Sequence, residues 1–313
     1  MNKAMVTGGA GFIGSHLVTQ LLKEGIEIKV YDNLTSGNIE NLSDVKSDIE
    51  IINADIRGLD NLILAMQGVD QVFHLAALTS VYLSVAKPLP THEINITGTF
   101  NVLLASLKAG VSRVIIASSC AVYGDTHQPQ LKETDLPAPK SPYASSKLIS
   151  ETLAESFYHS YGLETVCLRY FNVYGSRQRQ DSEYASVVPR FIQCYKHKQP
   201  AQVYGDGLQS RDFIYVTDIA RANVLAASLP SCILKETRVF NIGTGTSTNI
   251  LEILKIISHE FGYPIAIEFR EARKEDIRHS KADCTLAREK LGFNNTVDLP
   301  TGIRNLIHLG LVL

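Results

Sequence analysis

The chain has 313 residues, 45% of them hydrophobic, more than one core usually fills, so two domains or one domain with a smaller lobe are expected. A formal net charge of -2 excludes general attraction to nucleic acid or an anionic membrane, while local basic clusters remain free to bind a small anion. The cysteines, at 120, 167, 194, 232 and 284, are scattered without a CxxC pair, and no apolar run approaches the roughly 20 residues of a membrane span; this reads as a soluble cytoplasmic chain with reduced thiols and no metal site.

The first strand, KAMVT, begins at Lys3, which leaves no room for a signal peptide before it. EIKVYD, IEIINAD, QVFHLA, RVIIASS and ETVCLRYF come next as further short strands, separated by amphipathic helical stretches. That alternation through about residue 170 predicts a doubly wound parallel sheet. Gly25 and Gly110 stand where helices should stop. After Phe171 the pattern loosens into glycine turns such as YGDG and NIGTGTS, with a short helix over about 249 to 261 and a mixed-charge stretch from 268 to 283. This predicts a first domain over 1–172 and a smaller lobe over 173–313, with some chain crossing between them.

Between the first strand and a helix marked by Ile13, Leu17, Leu21 and Leu22, the stretch TGGAGFIGSH spaces Gly8, Gly11 and Gly14 as GxxGxxG. Without a Cβ, such positions let the backbone turn tightly and approach a pyrophosphate, whose charge the helix N-terminus then meets. Asp32 ends the second strand at about the distance where an acid meets the adenosine ribose hydroxyls. A carboxylate there repels a 2'-phosphate and no arginine follows in NLTSGN, so NAD is favoured over NADP. Asp55, ending IEIINAD, is a candidate for the adenine amine, or simply a strand-end aspartate.

In SPYASSK (141–147), Ser141 and Pro142 read as an N-cap and first-turn proline, which puts Tyr143 and Lys147 at i and i+4 on one helical face. A phenol base working near neutrality needs its pKa lowered by about three, or roughly 4 kcal/mol, and a nearby ammonium would supply that.

TGGAGFIG, HLAA (74–77), ASSCAVYG (117–124), PYASSK and RYFNVYG (169–175), in that order, resemble the extended short-chain dehydrogenase/reductase family in its nucleotide-sugar branch, most of all UDP-N-acetylglucosamine and UDP-hexose 4-epimerases. The resemblance covers nearly the whole chain. It implies a Rossmann-type α/β fold, with a doubly wound parallel sheet and a smaller α/β substrate-binding lobe. Tyr143 would then be the acid/base. Lys147 would hold the nicotinamide ribose and lower the tyrosine pKa, and Ser119 would bond the reacting sugar oxygen. The NAD site would comprise Gly8, Gly11, Phe12, Ile13 and Gly14, then Asp32, Asn33, Ser36, Gly37, Asp55 and Ile56. Leu75, Ala76, Ala77 and Asn95 would join them, with Tyr170 and Phe171 flanking the nicotinamide.

Members of this branch begin by oxidising a sugar carbon and differ in the fate of the keto sugar. Related dehydratases and decarboxylases carry a carboxylate just after the Ser119 position, where this chain has Cys120 and Ala121. Elimination then lacks its acid and base. What the resemblance leaves is hydride out and hydride back, a 4-epimerase. Alternatives are a UDP-uronic acid 4-epimerase, a GDP-sugar 3,5-epimerase/reductase using Cys120, and a dinucleotide-binding sensor without catalysis. Against the reductase, its cysteine aligns one residue away and it requires NADPH.

On the substrate side the resemblance implies Ser80, Asn172 at the diphosphate or neighbouring sugar groups, Val188 in VVPRF beneath the base, and Tyr204 near the base. Arg211 and Arg273 would hold phosphates and Asp276 the nucleotide ribose, since guanidinium forks match phosphate oxygens. Ser280 falls where a bulky tyrosine closes the pocket in epimerases restricted to unacetylated sugars, so a serine leaves space for an acetamido group. Family members commonly pair through a four-helix bundle, here from about 91 to 109 and 144 to 160, which predicts a homodimer.

Overall fold

Valine- and isoleucine-rich runs joined by helices enter the sheet from the same end, and parallel pairing results. The computed structural model describes residues 1–126, 128–179, 186–272 and 277–308. Six strands come in chain order: β1 (Lys3–Thr7), β2 (Glu27–Asp32), β3 (Ile49–Asn53), β4 (Gln71–His74), β5 (Arg113–Ser119) and β6 (Glu164–Tyr170). After them come β7 (Asn172–Tyr174), β8 (Ala201–Tyr204), β9 (Ser210–Arg211), β10 (Phe213–Tyr215), β11 (Val239–Ile242), β12 (Thr248–Asn249) and β13 (Ile267–Arg270). The main sheet has seven strands in the order β11-β6-β5-β4-β1-β2-β3, every neighbour parallel. Strand order reverses between β1 and β4, the crevice where open α/β sheets bind their ligands.

The pleat sends alternate side chains to opposite layers. Ala4 and Val6 of β1, Ile115 of β5 and Val166 and Leu168 of β6 pack with the Phe12–Lys23 and Val216–Ala227 helices. Their neighbours Met5, Val114, Ile116 and Cys167 pack with the Gly98–Ala109 and Pro142–Tyr161 helices. Both faces are covered, which is why these strands read as continuous apolar runs. A third core, around Tyr174, Phe191, Val203, Ile253 and Ile303, fills the smaller lobe.

KAMVT, EIKVYD and RVIIASS form strands end to end, while the other three expected runs stop at Asn53, His74 and Tyr170. Gly25 and Gly110 adopt φ of +75° and +73°, the left-handed helix exit foreseen for them. The helix expected near 249 to 261 is Ile250–Phe261, started by a reciprocal capping box between Asn249 and Glu252. The seventh strand of the sheet, VFNI, is not legible in the sequence, because four residues before a glycine turn carry too little pattern. The helix expected over about 91 to 109 is interrupted by a wide π turn at His92–Thr97, which sets Asn95 against Leu78 and Ser146. Among the described residues no helix is long and apolar enough to cross a membrane.

Candidate active site

The glycine loop sits at the strand-order reversal, between β1 and the Phe12–Lys23 helix. Gly8 has φ +70°, and a Cβ there would lie 2.7 Å from the Ala76 nitrogen. A Cβ on Gly14 would lie 2.1 Å from the Gly8 carbonyl oxygen, so the loop and the first helical turn touch through backbone alone. Gly11 is the N-cap and no side chain caps the helix; the first turn also lacks an acid, which leaves its N–H groups for an anion. Asp32, 7% exposed, accepts from Ala10 N at 3.0 Å and Leu34 N at 2.8 Å. A carboxylate has about four lone-pair sites, so two stay free for ribose hydroxyls. Gly37 lies over this carboxylate, where a Cβ would come within 2.9 Å of both oxygens. Phe12, Ile13, Leu75, Ala76 and Ala77 are half-buried beside the loop, and Asn33 and Ser36 are exposed at its rim. This donor set, with an acid in place of a phosphate-binding arginine, fits NAD.

Behind the loop, His74 bridges two hydroxyls. Its Nδ1 meets Thr7 Oγ1 at 2.8 Å and its Nε2 meets Thr99 Oγ1 at 2.9 Å. Burial, then the Lys147 charge, push the imidazole pKa down to about 3, so His74 is neutral. Thr7 in turn receives the Ala76 N–H at 3.3 Å. Asp55 differs from the sequence expectation in its surroundings. Arg57 grips both its oxygens, with Asn33 adding a bond at 2.8 Å. Those bonds, the Arg57 fork first, hold its pKa at about 2, and an adenine amine would have to share the carboxylate with them. Ile56 packs in the core under Gly98.

Ser141 caps the Pro142–Tyr161 helix by accepting from Ala144 N at 3.1 Å, a bond worth about 1 kcal/mol. That fixes the turn on which Tyr143 and Lys147 share a face. Tyr143, 9% exposed, has the Ser119 hydroxyl beside its phenol; Lys147 is 7% exposed. Its Nζ donates to the Ala117 carbonyl at 2.8 Å. Burial pushes the Tyr143 pKa up to about 12 despite the pull of Ser119, and Lys147 down to about 8. Sequence spacing carries the helical face but not the dielectric around it, and burial outweighs proximity here. Tyr170 and Phe171 are buried, the Tyr170 hydroxyl exchanging bonds with Asn223 at 2.8 and 3.0 Å.

Across the cleft, Ser280 is 5% exposed and its Oγ has the Cys120 thiol as a polar neighbour. Asn172 Oδ1 is a buried oxygen without a hydrogen-bond partner. Ser280 lines a cavity of about 490 Å³ with Asp125, Thr126, Ser210, Ser247 and His279. The Cys120 thiol lies against Ser280, and burial pushes its pKa up to about 11, which suits a packed thiol rather than an acid/base. Arg211 donates to the Ser210 carbonyl at 2.9 Å. Ser80 caps the Val81–Ala86 helix, and Tyr204 lies under the Arg190 guanidinium. Val188, expected beneath the base, has its side chain fully buried in the lobe core, because its helix turns that face to Phe191 and Tyr195. Arg273 and Asp276 lie outside the described residues.

Sequence reasoning missed Asp212. Fully buried, it accepts from Thr244 N at 2.8 Å, Thr244 Oγ1 at 2.7 Å, Gly245 N at 2.9 Å and Ala282 N at 3.1 Å. One carboxylate thus ties the segment after Arg211 to the loop after β11 and to the stretch carrying Ser280. Burial raises its pKa against the pull of those bonds. The only local signal is an acid directly before the apolar strand Phe213–Tyr215.

Residues 4–243 match the family described as NAD dependent epimerase/dehydratase. The UDP-glucose 4-epimerase of Mycolicibacterium smegmatis is 35% identical over 314 residues, 97% of each chain. Among solved structures, the UDP-N-acetylglucosamine 4-epimerase of Methanobrevibacter ruminantium, in complex with UDP-N-acetylmuramic acid, superposes with a TM-score of 0.92 at 39% identity, over 98% of this chain and 97% of that one. A UDP-glucuronic acid 4-epimerase of Bacillus cereus, in complex with NAD and a fluorinated UDP-glucuronic acid, gives 0.90 at 32% identity over 96% of each. With its glycine loop, Asp32 and the Ser119, Tyr143 and Lys147 cluster, the chain belongs to the NAD-dependent epimerase/dehydratase family, among the UDP-sugar 4-epimerases, and NAD is its cofactor.

Proposed function

We propose that this UDP-sugar 4-epimerase prefers the pair UDP-N-acetylglucosamine and UDP-N-acetylgalactosamine, with UDP-glucose and UDP-galactose as poorer substrates. The observation that carries this reading is Ser280: small, buried, and set against Cys120, the residue next to Ser119. A serine leaves room for an acetamido group and offers it a hydroxyl. The likeness to a UDP-N-acetylglucosamine 4-epimerase supports the same choice.

In this reading Gly8, Gly11 and the first-turn N–H groups of Phe12 and Ile13 hold the NAD pyrophosphate, Asp32 the adenosine ribose, and Lys147 the nicotinamide ribose. Bound NAD supplies a hydride acceptor that gives back what it takes, so none is consumed. Ser119 Oγ holds the C4 oxygen of the sugar. Tyr143 Oη takes the proton of the C4 hydroxyl and later returns it; its high pKa in the chain alone means that the charges around it must change before it can serve as a base. Arg211 and Arg273 hold the diphosphate while the 4-keto sugar turns to present its other face. Cys120 and Ala121 offer no carboxylate for an elimination, which favours epimerisation over dehydration. The chain would pair through the Gly98–Ala109 and Pro142–Tyr161 helices, whose Phe100, Ile149 and Tyr161 are exposed. Its free thiols suit a reducing compartment such as the cytoplasm.

The test is a panel of UDP- and GDP-sugars assayed chromatographically for epimers. Tyr143→Phe should slow every turnover by about a thousandfold. Ser280→Tyr should abolish turnover of the acetylated pair and spare UDP-glucose. Equal loss on both pairs removes the substrate assignment, and an unimpaired Tyr143→Phe removes the chemistry.

A further inference from the structure

The catalytic helix carries a second buried charge that the chemistry above leaves unused. Glu151 lies one turn beyond Lys147 and is 7% exposed. Its Oε1 accepts from Ser118 Oγ at 2.5 Å and from Arg169 Nε at 2.9 Å, and its Oε2 from Arg169 Nη2 at 2.7 Å. Arg169, 4% exposed, stands opposite Ser118 in the β5–β6 ladder, one residue from the Ser119–Tyr170 pair. Its guanidinium also covers the Tyr123 ring at 4.7 Å. Lys147 binds the carbonyl of Ala117 while the next-door Ser118 binds Glu151, so helix and strand are tied twice, at successive turns of the helix.

A buried ion pair is poor evidence of stability, because apolar residues of the same volume often serve as well. A role beside the lysine accounts for it better. We infer that Glu151, held in place by Arg169 and Ser118, is the positioning residue that keeps the Lys147 side chain charged and seated at Ala117 inside a buried site.

The surrounding groups support this. Burial pushes Lys147 down to about 8, against upward pulls from Cys167 and Glu151. Cys167, from β6, is itself raised well above its ordinary range, by burial first and Glu151 next, so it stays a neutral thiol. His74, from β4, is neutral, and Tyr143, on the same helix, is a neutral phenol. Glu151, one turn along the same helix, is therefore the carboxylate whose charge acts on the ammonium. Arg169, raised by its Glu151 bonds against the cost of burial, takes up part of that charge. With the carboxylate gone, Lys147 would lose its proton at lower pH.

This inference rests on the proposed roles of Tyr143 and Lys147, and the experiment separates the two. Epimerisation and NAD affinity are measured from about pH 6 to pH 10 in the parent enzyme, Glu151→Gln, Arg169→Met, the double variant Glu151→Gln/Arg169→Gln, and Tyr143→Phe. Glu151→Gln should move the alkaline fall of kcat down by about one pH unit, a tenfold loss above pH 8, with KM for the sugar nearly unchanged. NAD affinity should weaken over the same shifted range. Arg169→Met, which leaves the carboxylate unshared, should move the fall upward. Should Glu151→Gln fail to fold, the double variant, which buries no lone charge, should still show the downward shift. An alkaline limb unmoved in the glutamate variants, or displaced the same way in both single variants, overturns the inference. An active Tyr143→Phe instead overturns the underlying chemistry.

Discussion

The two sides of the cleft are shaped by different parts of the polypeptide. On the dinucleotide side the form is backbone: Gly8 and Gly14 approach main-chain atoms so closely that no Cβ fits, and the helix start offers bare N–H groups. On the proposed sugar side the form is side chain: Asp212 gathers three segments, and Ser280, Asn172 and Arg211 stand on short strands and loops. A ligand common to a whole family is met by main chain, which substitution cannot change gradually. A ligand that differs between relatives is met by groups that can be exchanged one at a time.

The largest effect that would break this contrast is at Gly14. Gly14→Ala puts a methyl on the Gly8 carbonyl and should weaken NAD binding by more than a hundredfold, about 3 kcal/mol or more, as read by titration calorimetry. Of similar size is the acid response of His74. Its folded pKa, about 3, lies below the unfolded value near 6.5, so the unfolded chain binds the proton first and stability falls as pH drops through that window. The loss between pH 6.5 and pH 4 is roughly 3 kcal/mol, with His16, pushed to about 4 by burial, adding in the same direction. His74→Asn should flatten the stability–pH curve measured by urea unfolding, even though it weakens the protein at neutrality. Arg211→Met, on the sugar side, should raise KM for the UDP-sugar by about 30-fold, or 2 kcal/mol, and leave NAD affinity as it was. The smallest effect sharpens the point about glycine itself. At Gly25, where φ is +75° but a Cβ meets nothing within 4 Å, alanine should cost only about 1 kcal/mol, checked by thermal unfolding.

Much of the cofactor side was legible because its determinants are local. A strand, three glycines, a helix and an acid at the end of the next strand all fall within the first 32 residues. The Ser141 cap is equally local, and with it the shared face of Tyr143 and Lys147. What was not legible depends on partners distant in sequence. β11 is a strand only because Val239–Ile242 finds the open edge of β6, and Asp212 matters only because three remote N–H groups converge on it. Nor does spacing report burial, which is why the expected acidification of Tyr143 by Lys147 differs from the phenol found at about 12, with the ammonium turned to Ala117.

The position of β11 in the main sheet has a consequence for how the polypeptide can be cut and made. A fragment ending near residue 172 would contain every glycine of the dinucleotide loop, yet leave the outer edge of β6 as a bare row of hydrogen-bonding groups, an invitation to pair with another copy. On the ribosome the same edge stays open until Val239–Ile242 has emerged, so the nascent half-sheet must be kept from its neighbours for the time taken to add some 70 further residues.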